Sequence, residues 1–549
     1  MTRFVSRLPL MSVGPATSPR ALFSIFGIFT LGVLMALATD VVLSQLTPVK
    51  VAFILGGFAL LIPTVVMKHP KAYCLFLLVV SIPFDISKWL STWLVDPPSL
   101  IDLYGQPASG TIAIELYLTD LVLVVMVLPW LARVAMRRET VYFPAIGYLF
   151  VLYLIWALLG SLINAQSFYL ALFELWRQAM YLLLFVYLIN NVTTRLELRS
   201  VIWAVFIGFI ISAGTVVASF QMGYGTVTSI FSSLKDEPGR VGFQPGKRTQ
   251  FNRDLTVGDE SRGLGRQGRV SESATKRSQG IFRHPAIPAS MCGLVLPIVL
   301  AYLVTARRNR DRILLFMVFI LGVAGLVLTF SRAGAIGCAA GIAVFVAVAG
   351  WSGLVPRRVI TWLAVMFVGL AALSMPLMVA YFTTRPEAFT MRFYMHEAAL
   401  QGYLEHPLVG VGLNNSTAAM KEGRQELIAL GIPLAGVEPA DSYYVAMLVE
   451  VGPVGFVLFF GFFGKIVMIA LRATREVATD LKTLLVGIVA GLASLATQNL
   501  SDIPMAGHAV SGLLWLFAAL IVAIARDVQV EPRPSSVVGQ PRLLGARSH

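Results

Sequence analysis

The sequence predicts an all-α polytopic membrane protein, a bundle of about 14 transmembrane helices with two long extracytoplasmic loops. Hydrophobic residues make up 57% of the 549 positions and charged residues only 13%, and the mean hydropathy is +0.77. That much apolar surface exceeds what a soluble core can bury. The apolar residues also fall into runs of roughly 20, the length that a helix needs to cross the hydrocarbon layer.

Each apolar run predicts one membrane-spanning helix. The boundary between the ninth and tenth runs depends on one short polar interruption, at Ser331 and Arg332. In chain order, the candidate spans lie near residues 21–39, 51–67, 72–88, 112–132, 143–163, 169–189, 201–221, 285–305, 313–331, 333–351, 359–381, 443–470, 483–500 and 508–525.

The basic residues indicate how the bundle is oriented. The formal net charge of +14 comes from short clusters between apolar runs, so it reflects membrane topology and the lipid bilayer rather than nucleic-acid binding. If the N-terminal residues 1–20 are cytoplasmic, then residues 526–549 are cytoplasmic as well. Alternate connections carry the clusters, which are Lys68 and Lys71; Arg133, Arg137 and Arg138; Arg195 and Arg199; Arg307, Arg308, Arg310 and Arg312; Arg357 and Arg358; and Arg472, Arg475 and Lys482.

The three cysteines give no sign of a covalent or metal framework. Cys74, Cys292 and Cys338 all lie within apolar runs. We therefore expect neither a disulfide framework nor a metal cluster.

Two long loops divide the helices into groups. The division places transmembrane helices in residues 21–221, 285–381 and 443–525, and extracytoplasmic loops in residues 222–284 and 382–442. Long loops are largely exempt from the charge rule, so their basic residues do not oppose this topology. The first loop is basic and rich in glycine, which is typical of a solvated segment and would also suit a collector of anionic glycans or diphosphates.

The second loop has a more structured pattern. In RFYMHEAALQGYLEHP, the apolar residues Phe393, Ala399, Leu400 and Leu404 fall at spacings that could cover one helix face. His406 and Pro407 should end that helix, and GVGLNN should form a tight turn. We expect either an amphipathic helix on the membrane surface or a lid packed over the bundle.

Four stretches together resemble the O-antigen ligase and polymerase superfamily of envelope proteins. They are SQGIFRHPAIPASMCGLVLPI, LTFSRAGAIG, the segment from Arg392 to EHPLVGVG, and ADSYYVAMLVEVGPVG. They occur in the family's order in the central and C-terminal half of the chain, whereas the N-terminal half matches only in hydropathy. Each motif is degenerate alone, and the ordered set is more specific.

The resemblance implies a membrane glycosyltransferase of polysaccharide biosynthesis in the bacterial inner membrane. Such proteins transfer a glycan from undecaprenyl diphosphate to an acceptor hydroxyl at the outer face, as polymerases or ligases of O-antigen or exopolysaccharide. The expected partners are the lipid-linked glycan, an acceptor glycan or lipid, and other envelope polysaccharide assembly proteins. The family works without a metal or cofactor, so we expect neither here.

Displacement of a lipid diphosphate leaves negative charge on the phosphate, which Arg can bind through two parallel hydrogen bonds. Arg177 lies inside a predicted helix, where the alternative is an ion pair with Glu174. Arg332 interrupts an apolar run, where the alternative is a snorkelling interfacial residue. Arg283 and Arg392, in the two loops, are candidates for binding diphosphate or glycan, or are simply solvated.

The catalytic base is the position at which this chain departs from the family pattern. The family has a His-Asn pair where this sequence has Asp441 and Ser442. A carboxylate with its reference pKa near 3.9 is a weaker base than imidazole, and an Asp at this point would also suit a helix N-cap. Asp441 is the predicted base, with His406 and His396 as the other candidates.

Glu450 and Tyr443 complete the predicted site. They are seven residues apart, so a helix would place them on one face. An intramembrane carboxylate is functional or paired, and Arg177 or Arg332 is the expected partner of Glu450. Two other classes stay open, namely a lipid-linked oligosaccharide flippase or another secondary transporter, and a non-enzymatic scaffold of an assembly complex.

Overall fold

The protein is a multi-pass bundle of membrane helices. A computed structural model describes residues 68–84, 87–89, 114–222, 278–282, 284–365, 369, 386–420 and 442–530. Among these residues, ten helices are long and apolar enough to cross a membrane, and one shorter apolar helix accompanies them. The predicted spans at 21–39 and 51–67, and most of 359–381, lie outside the described residues.

The described helices and strands fall into two parts, before and after the first long loop. The first part of the chain forms α1 (Pro70–Ser81), β1 (Ser87–Trp89), β2 (Glu115–Tyr117), α2 (Leu118–Ala135), α3 (Gly147–Asn164), α4 (Phe168–Asn191) and α5 (Arg195–Met222). The second part forms α6 (Ala286–Thr305), α7 (Asn309–Leu328), α8 (Arg332–Trp351), α9 (Pro386–Leu404), α10 (Tyr443–Ala473), α11 (Thr479–Gln498), a 3-10 turn (Pro504–Ala506) and α12 (His508–Val530).

Two predicted spans differ from the observed elements. The span predicted at 72–88 ends as a helix at Ser81, because Pro83 follows and cannot continue a helical hydrogen-bond ladder. The span predicted at 112–132 begins only at Leu118, because the Asp120 carboxylate accepts the backbone N–H of Tyr117 and caps the helix there. Between them, β1 and β2 form a short antiparallel ladder.

Successive helices define two ends of the bundle. At one end, the α5 and α11 N-termini meet through an ion pair of 2.6 Å between Arg195 and Asp480, and Lys71 pairs with Glu197 at 3.1 Å. We call this the basic end, because it holds the clusters that the sequence places in the cytoplasm. At the opposite end, the N-terminus of α10 contacts the C-terminus of α11, since the Tyr443 N–H donates to the Asn499 carbonyl at 3.1 Å. We call this the loop end.

Two helices form the buried centre of the bundle. The apolar window of α6 is 83% buried and that of α12 is 94% buried, so both are enclosed by other helices rather than by lipid. Helix α6 packs against α7, α8 and α11, and α12 packs against α4 and α10. An aromatic cluster fills the interior between these groups, comprising Phe150, Tyr153, Phe185, Phe459, Phe462 and Trp515.

Small residues allow α6, α8 and α11 to approach closely. Gly337 and Gly341 of α8 face Ser494 and the backbone of α11, while Gly487 and Gly491 of α11 face α6. These are two small-xxx-small pairs, the pattern by which membrane helices pack backbone to backbone. A side chain added at Gly491 would meet the backbone of Leu294.

We expect Gly491→Leu to destabilise the protein. The larger side chain must push α11 away from the Leu294 backbone, and overpacking of this kind costs about 1–3 kcal/mol. Gly461→Leu is the matched control, because nothing lies near a side chain at that exposed position in α10. Thermal unfolding in detergent should show a lower midpoint for Gly491→Leu only, and equal midpoints for the two variants would contradict the close packing.

Candidate functional site

The polar site begins at a break in α10. Gly452 adopts φ 64° and ψ −179°, and Pro453 follows it. Pro453 has no N–H to donate to the Val449 carbonyl. The turn at Gly452 also takes the next two carbonyls, those of Glu450 and Val451, out of the helical hydrogen-bond ladder. Backbone carbonyls within a membrane must find other donors. Here the Val411 N–H donates to Val449 at 2.9 Å, the Gly412 N–H to Glu450 at 3.0 Å, and Trp156 Nε1 to Val451 at 2.9 Å.

The donors come from the GVGLNN loop, residues 410–415. Its turn requires positive φ angles, which are 79° at Gly410, 96° at Gly412 and 60° at Asn414. Glycine tolerates this region without steric cost, and Asn tolerates it better than most residues. Gly410 also lies directly against the Glu450 carbonyl, with no space for a side chain. The predicted tight Gly/Asn turn is confirmed, and the close approach explains why glycine stands at 410.

The same loop is tied to the connection between α3 and α4. The Leu413 N–H donates to Ser161 Oγ at 3.0 Å, and Asn164 Nδ2 donates to the Gly410 carbonyl at 2.8 Å. Asn415 accepts the Ser167 N–H at 2.9 Å. Since α4 carries Arg177, these bonds fix the loop relative to that arginine.

Glu450 is held by the loop rather than by an arginine. Its carboxylate accepts a hydrogen bond from Ser416 Oγ at 2.7 Å, and the backbone N–H groups of Asn414 and Ser416 also donate to it. The side chain is 4% exposed. The prediction that Arg177 or Arg332 is the partner of Glu450 was therefore wrong. The physical reason is that backbone donors of a tight turn satisfy a buried carboxylate as well as a guanidinium does.

Arg177 belongs to a buried ion pair within α4. Its Nη2 atom lies 2.7 Å from Glu174 Oε2, and Gln178 Nε2 donates to the other oxygen of Glu174 at 2.7 Å. The alternative pairing predicted for Arg177 is confirmed. Tyr443 and Glu450 of α10 interact electrostatically with this pair. The structure thus brings three predicted residues, Arg177, Tyr443 and Glu450, into one buried cluster.

Arg332 occupies a second position at the loop end. It opens α8, where Ser331 is the N-cap and its Oγ accepts the Gly334 N–H at 3.1 Å. At the end of the preceding helix, α7, the Leu328 carbonyl accepts a hydrogen bond from the Ser278 N–H at 3.0 Å. Arg332 is half-buried, and segment 278–282, the C-terminal end of the first long loop, contacts the end of α7 four residues before it.

Helix α9 lies at the loop end and has two apolar faces. Phe393, Leu400 and Leu404 are 65%, 40% and 70% exposed, so they form an exposed apolar stripe of the kind that an amphipathic surface helix turns toward lipid. Ala399 was assigned to that stripe and instead packs against α10 together with Met395. Arg392 is half-buried in this helix.

The turn after α9 contains His406. The helix ends at Leu404, as the His406-Pro407 pair predicted, and the half-buried His406 donates its backbone N–H to the Tyr403 carbonyl at 2.9 Å. Its carbonyl accepts the Gly410 N–H at 2.9 Å, so His406 lies at the entry to the GVGLNN loop. His396, the other candidate, lies in α9 one turn after Arg392.

The predicted base stands at the start of α10. Ser442 is the N-cap residue and is 3% exposed, and Ser442 Oγ donates to the Asn499 carbonyl at 3.2 Å. The N-cap position predicted for Asp441 therefore belongs to Ser442. Asp441 itself and Arg283 lie outside the described residues.

A buried imidazole near Arg177 was missed from the sequence. His508 opens α12 and is 3% exposed; its ring stacks on Tyr117 with centroids 3.8 Å apart, and its Nδ1 lies 3.2 Å from the Tyr181 hydroxyl. Tyr117 and Tyr181 both interact electrostatically with Arg177. The one available signal was a histidine at the first position of an apolar helix. Within the described ranges, no three His, Cys, Asp or Glu side chains converge as a metal site would need.

The part of the chain that contains the GVGLNN loop matches a known protein family. Residues 316–460 match the family model described as O-antigen ligase. This match supports the resemblance of the chain to the O-antigen ligase/polymerase superfamily. The O-antigen ligase match runs from α7 to a point in α10 beyond the break, so it includes Arg332, Arg392, His406 and Glu450, whereas Arg177 lies before it. A search of curated proteins found no match.

We expect Gly410→Ala to lower stability more than Gly353→Ala does. Both positions have positive φ, 79° and 65°, but only Gly410 abuts the Glu450 backbone, while open space surrounds Gly353. The two variants share the conformational cost of about 1–2 kcal/mol, so the difference measures the close contact. Thermal unfolding of both variants provides the comparison. Equal losses would show that the contact with α10 contributes nothing.

Proposed function

We propose that this protein transfers a glycan from undecaprenyl diphosphate to an acceptor hydroxyl at the outer face of the bacterial inner membrane. The observation that carries the proposal is the loop end itself, where the O-antigen ligase segment fixes a polar loop beside the buried Arg177 cluster. The basic clusters lie at the opposite end, so the positive-inside rule supports an outward-facing loop end and cytoplasmic termini.

The proposed step breaks the bond between the anomeric carbon and the phosphate oxygen, and it forms a glycosidic bond to the acceptor oxygen. The hydroxyl proton passes to a base or to water, and undecaprenyl diphosphate leaves with the bond's electron pair. Charge therefore grows on the leaving phosphate. Arg332 suits this charge, because it is half-buried at the first position of α8, where the helix dipole adds partial positive charge.

Arg177 has a different proposed role. Its charge is compensated by Glu174 at 2.7 Å, so a diphosphate entering the cluster would share the guanidinium with that carboxylate. A guanidinium carries five N–H donors in a planar fork, so such a pair is suited to orient the donor glycan or its phosphate. Tyr443 contributes a buried hydroxyl beside it, and Glu450 holds the loop. Arg283, Arg392 and His406 are proposed to bind the glycan or diphosphate.

Polymerase and ligase activities use the same donor and differ in the acceptor, which is either another glycan repeat or a lipid. We favour the polymerase slightly, with assembly proteins of the envelope as further partners. A flippase for the same lipid-linked oligosaccharide is the second candidate. It is less favoured because the described polar cluster lies at the loop end, whereas transporter sites lie near the bilayer midplane.

The decisive assay uses purified full-length protein with a lipid-diphosphate oligosaccharide in vesicles. Glycosyl transfer should release free lipid diphosphate and produce either longer glycans or a glycosylated acceptor lipid. Movement of the lipid-linked glycan between leaflets without a new glycosidic bond would favour the flippase and overturn the proposal.

We expect Arg332→Ala and Arg177→Ala to abolish transfer in this assay while the protein still inserts into the membrane. Removing Arg177 alone leaves the buried Glu174 charge uncompensated, which costs about 3–5 kcal/mol of stability. The double variant Glu174→Met, Arg177→Met avoids that cost and should fold yet remain inactive. Arg308→Ala, at the exposed basic end, is the control and should transfer at the wild-type rate. Full activity of the arginine variants would reject the site.

Asp441 is tested by two substitutions with opposite expectations. Asp441→Asn removes the base and should slow transfer by about 10²–10⁴-fold, the usual contribution of general-base catalysis. Asp441→His restores the family's imidazole and should keep or raise the rate at neutral pH. Equal rates for wild type and Asp441→Asn would exclude Asp441 as the base and leave His406 and His396 as the candidates.

A further inference from the structure

A cavity of about 380 Å³ lies at the basic end, far from the polar cluster. It is bounded by the connection before α3, by the C-terminal half of α10 and by the end of α12. Two cations, Lys465 and Arg526, line it, and no Asp or Glu is among its lining residues. Its other walls are apolar, formed mainly by Leu149, Ile469 and Val522.

The aromatic wall of the cavity is fixed in place. The Tyr142 N–H donates to Asn190 Oδ1 at 2.7 Å, and Asn190 Nδ2 donates back to the Tyr142 carbonyl at 2.9 Å. The Arg526 guanidinium lies 4.7 Å from the centroid of the Tyr142 ring, within the range of a cation–π contact. The guanidinium is thereby held at the cavity rather than extended into solvent.

The cavity lies where the bilayer meets water. Arg526 is the last residue of the membrane span in α12, and Lys465 lies 12 residues after Pro453, roughly 18 Å along the part of α10 that follows the break. Exposed Tyr142 and Tyr148 are residues typical of the interfacial belt. Lys465 is exposed at this depth, and no ion pair between described residues involves it.

We propose that this cavity binds the headgroup of an anionic phospholipid, with the phosphate between Lys465 and Arg526 and the acyl chains along the apolar wall. Among the described lining residues the two cations have no acidic partner, and like charges at a membrane interface repel each other unless an anion joins them. Basic pockets between membrane helices on the cytoplasmic side bind such headgroups for this reason. The inference is independent of the proposed transferase activity.

The test measures lipid binding by the purified full-length protein with native mass spectrometry. Phosphatidylglycerol should bind more tightly than phosphatidylcholine with the same acyl chains. The double variant Lys465→Gln, Arg526→Gln should weaken phosphatidylglycerol binding by roughly thirtyfold, taking about 1 kcal/mol for each basic residue near an anionic surface. Phosphatidylcholine binding should not change.

Arg475→Gln is the matched control. Arg475 also stacks on an aromatic ring at the basic end, 4.2 Å from the centroid of Trp351, but it does not line the cavity. Its substitution should leave phosphatidylglycerol binding unchanged. If the double variant does not fold, as judged by thermal unfolding, Arg526→Gln alone should show a smaller loss and Arg526→Lys a partial recovery.

Three results would overturn the proposal. They are equal phosphatidylglycerol affinity in the wild type and the double variant, equal affinity for the two phospholipids, and displacement of phosphatidylglycerol by millimolar inorganic phosphate. The last would mean that the cavity recognises a free anion without using the apolar wall.

Discussion

The break in α10 imposes a constraint on which the loop end depends. Three consecutive carbonyls, at residues 449–451, leave the helical ladder inside a membrane, where unsatisfied carbonyls are costly. Two donors come from the GVGLNN loop and the third from Trp156 of α3. A single interruption at Gly452 and Pro453 therefore joins α10, α3 and a loop that would otherwise be independent. The break, the GVGLNN loop and Trp156 form one structural unit, because N–H groups of the loop and of Trp156 satisfy the free carbonyls of α10.

The same interlock gives Glu450 its place. Its backbone carbonyl receives the Gly412 N–H, and its carboxylate receives Ser416 Oγ and nearby backbone N–H groups. The backbone carbonyl and the side-chain carboxylate of Glu450 thus both bind the loop to α10. Through Ser161, Asn164 and Ser167 the loop also fixes the start of α4, on which the Arg177–Glu174 pair is carried. The hydrogen bonds that begin at the break in α10 therefore also position the Arg177 cluster on α4.

The features that could be predicted from the sequence are those that depend on residues close together in the chain. The spacing of Glu174 and Arg177 offered their ion pair as the alternative to substrate binding, and His406-Pro407 predicted the end of α9. The partner of Glu450 was not predictable from side-chain types, because its donors are largely backbone groups that leave no mark in composition. The stacking of Tyr117 on His508 joins residues nearly 400 positions apart, and periodicity carries no information at that separation. Ala399 was assigned to the wrong face because a small apolar residue fits a close helix contact as well as a lipid surface.

Helix α9 combines an exposed apolar stripe with a buried face. Phe393, Leu400 and Leu404 face away from the protein, while Met395 and Ala399 bind the same helix to α10. Helix α9 is thus fixed to α10 on one side and presents an apolar surface on the other. A helix with such a surface at a membrane interface contacts both lipid and protein. A change in the lipid layer at this surface would therefore act on α9, and through α9 on the GVGLNN loop that follows its C-terminal end.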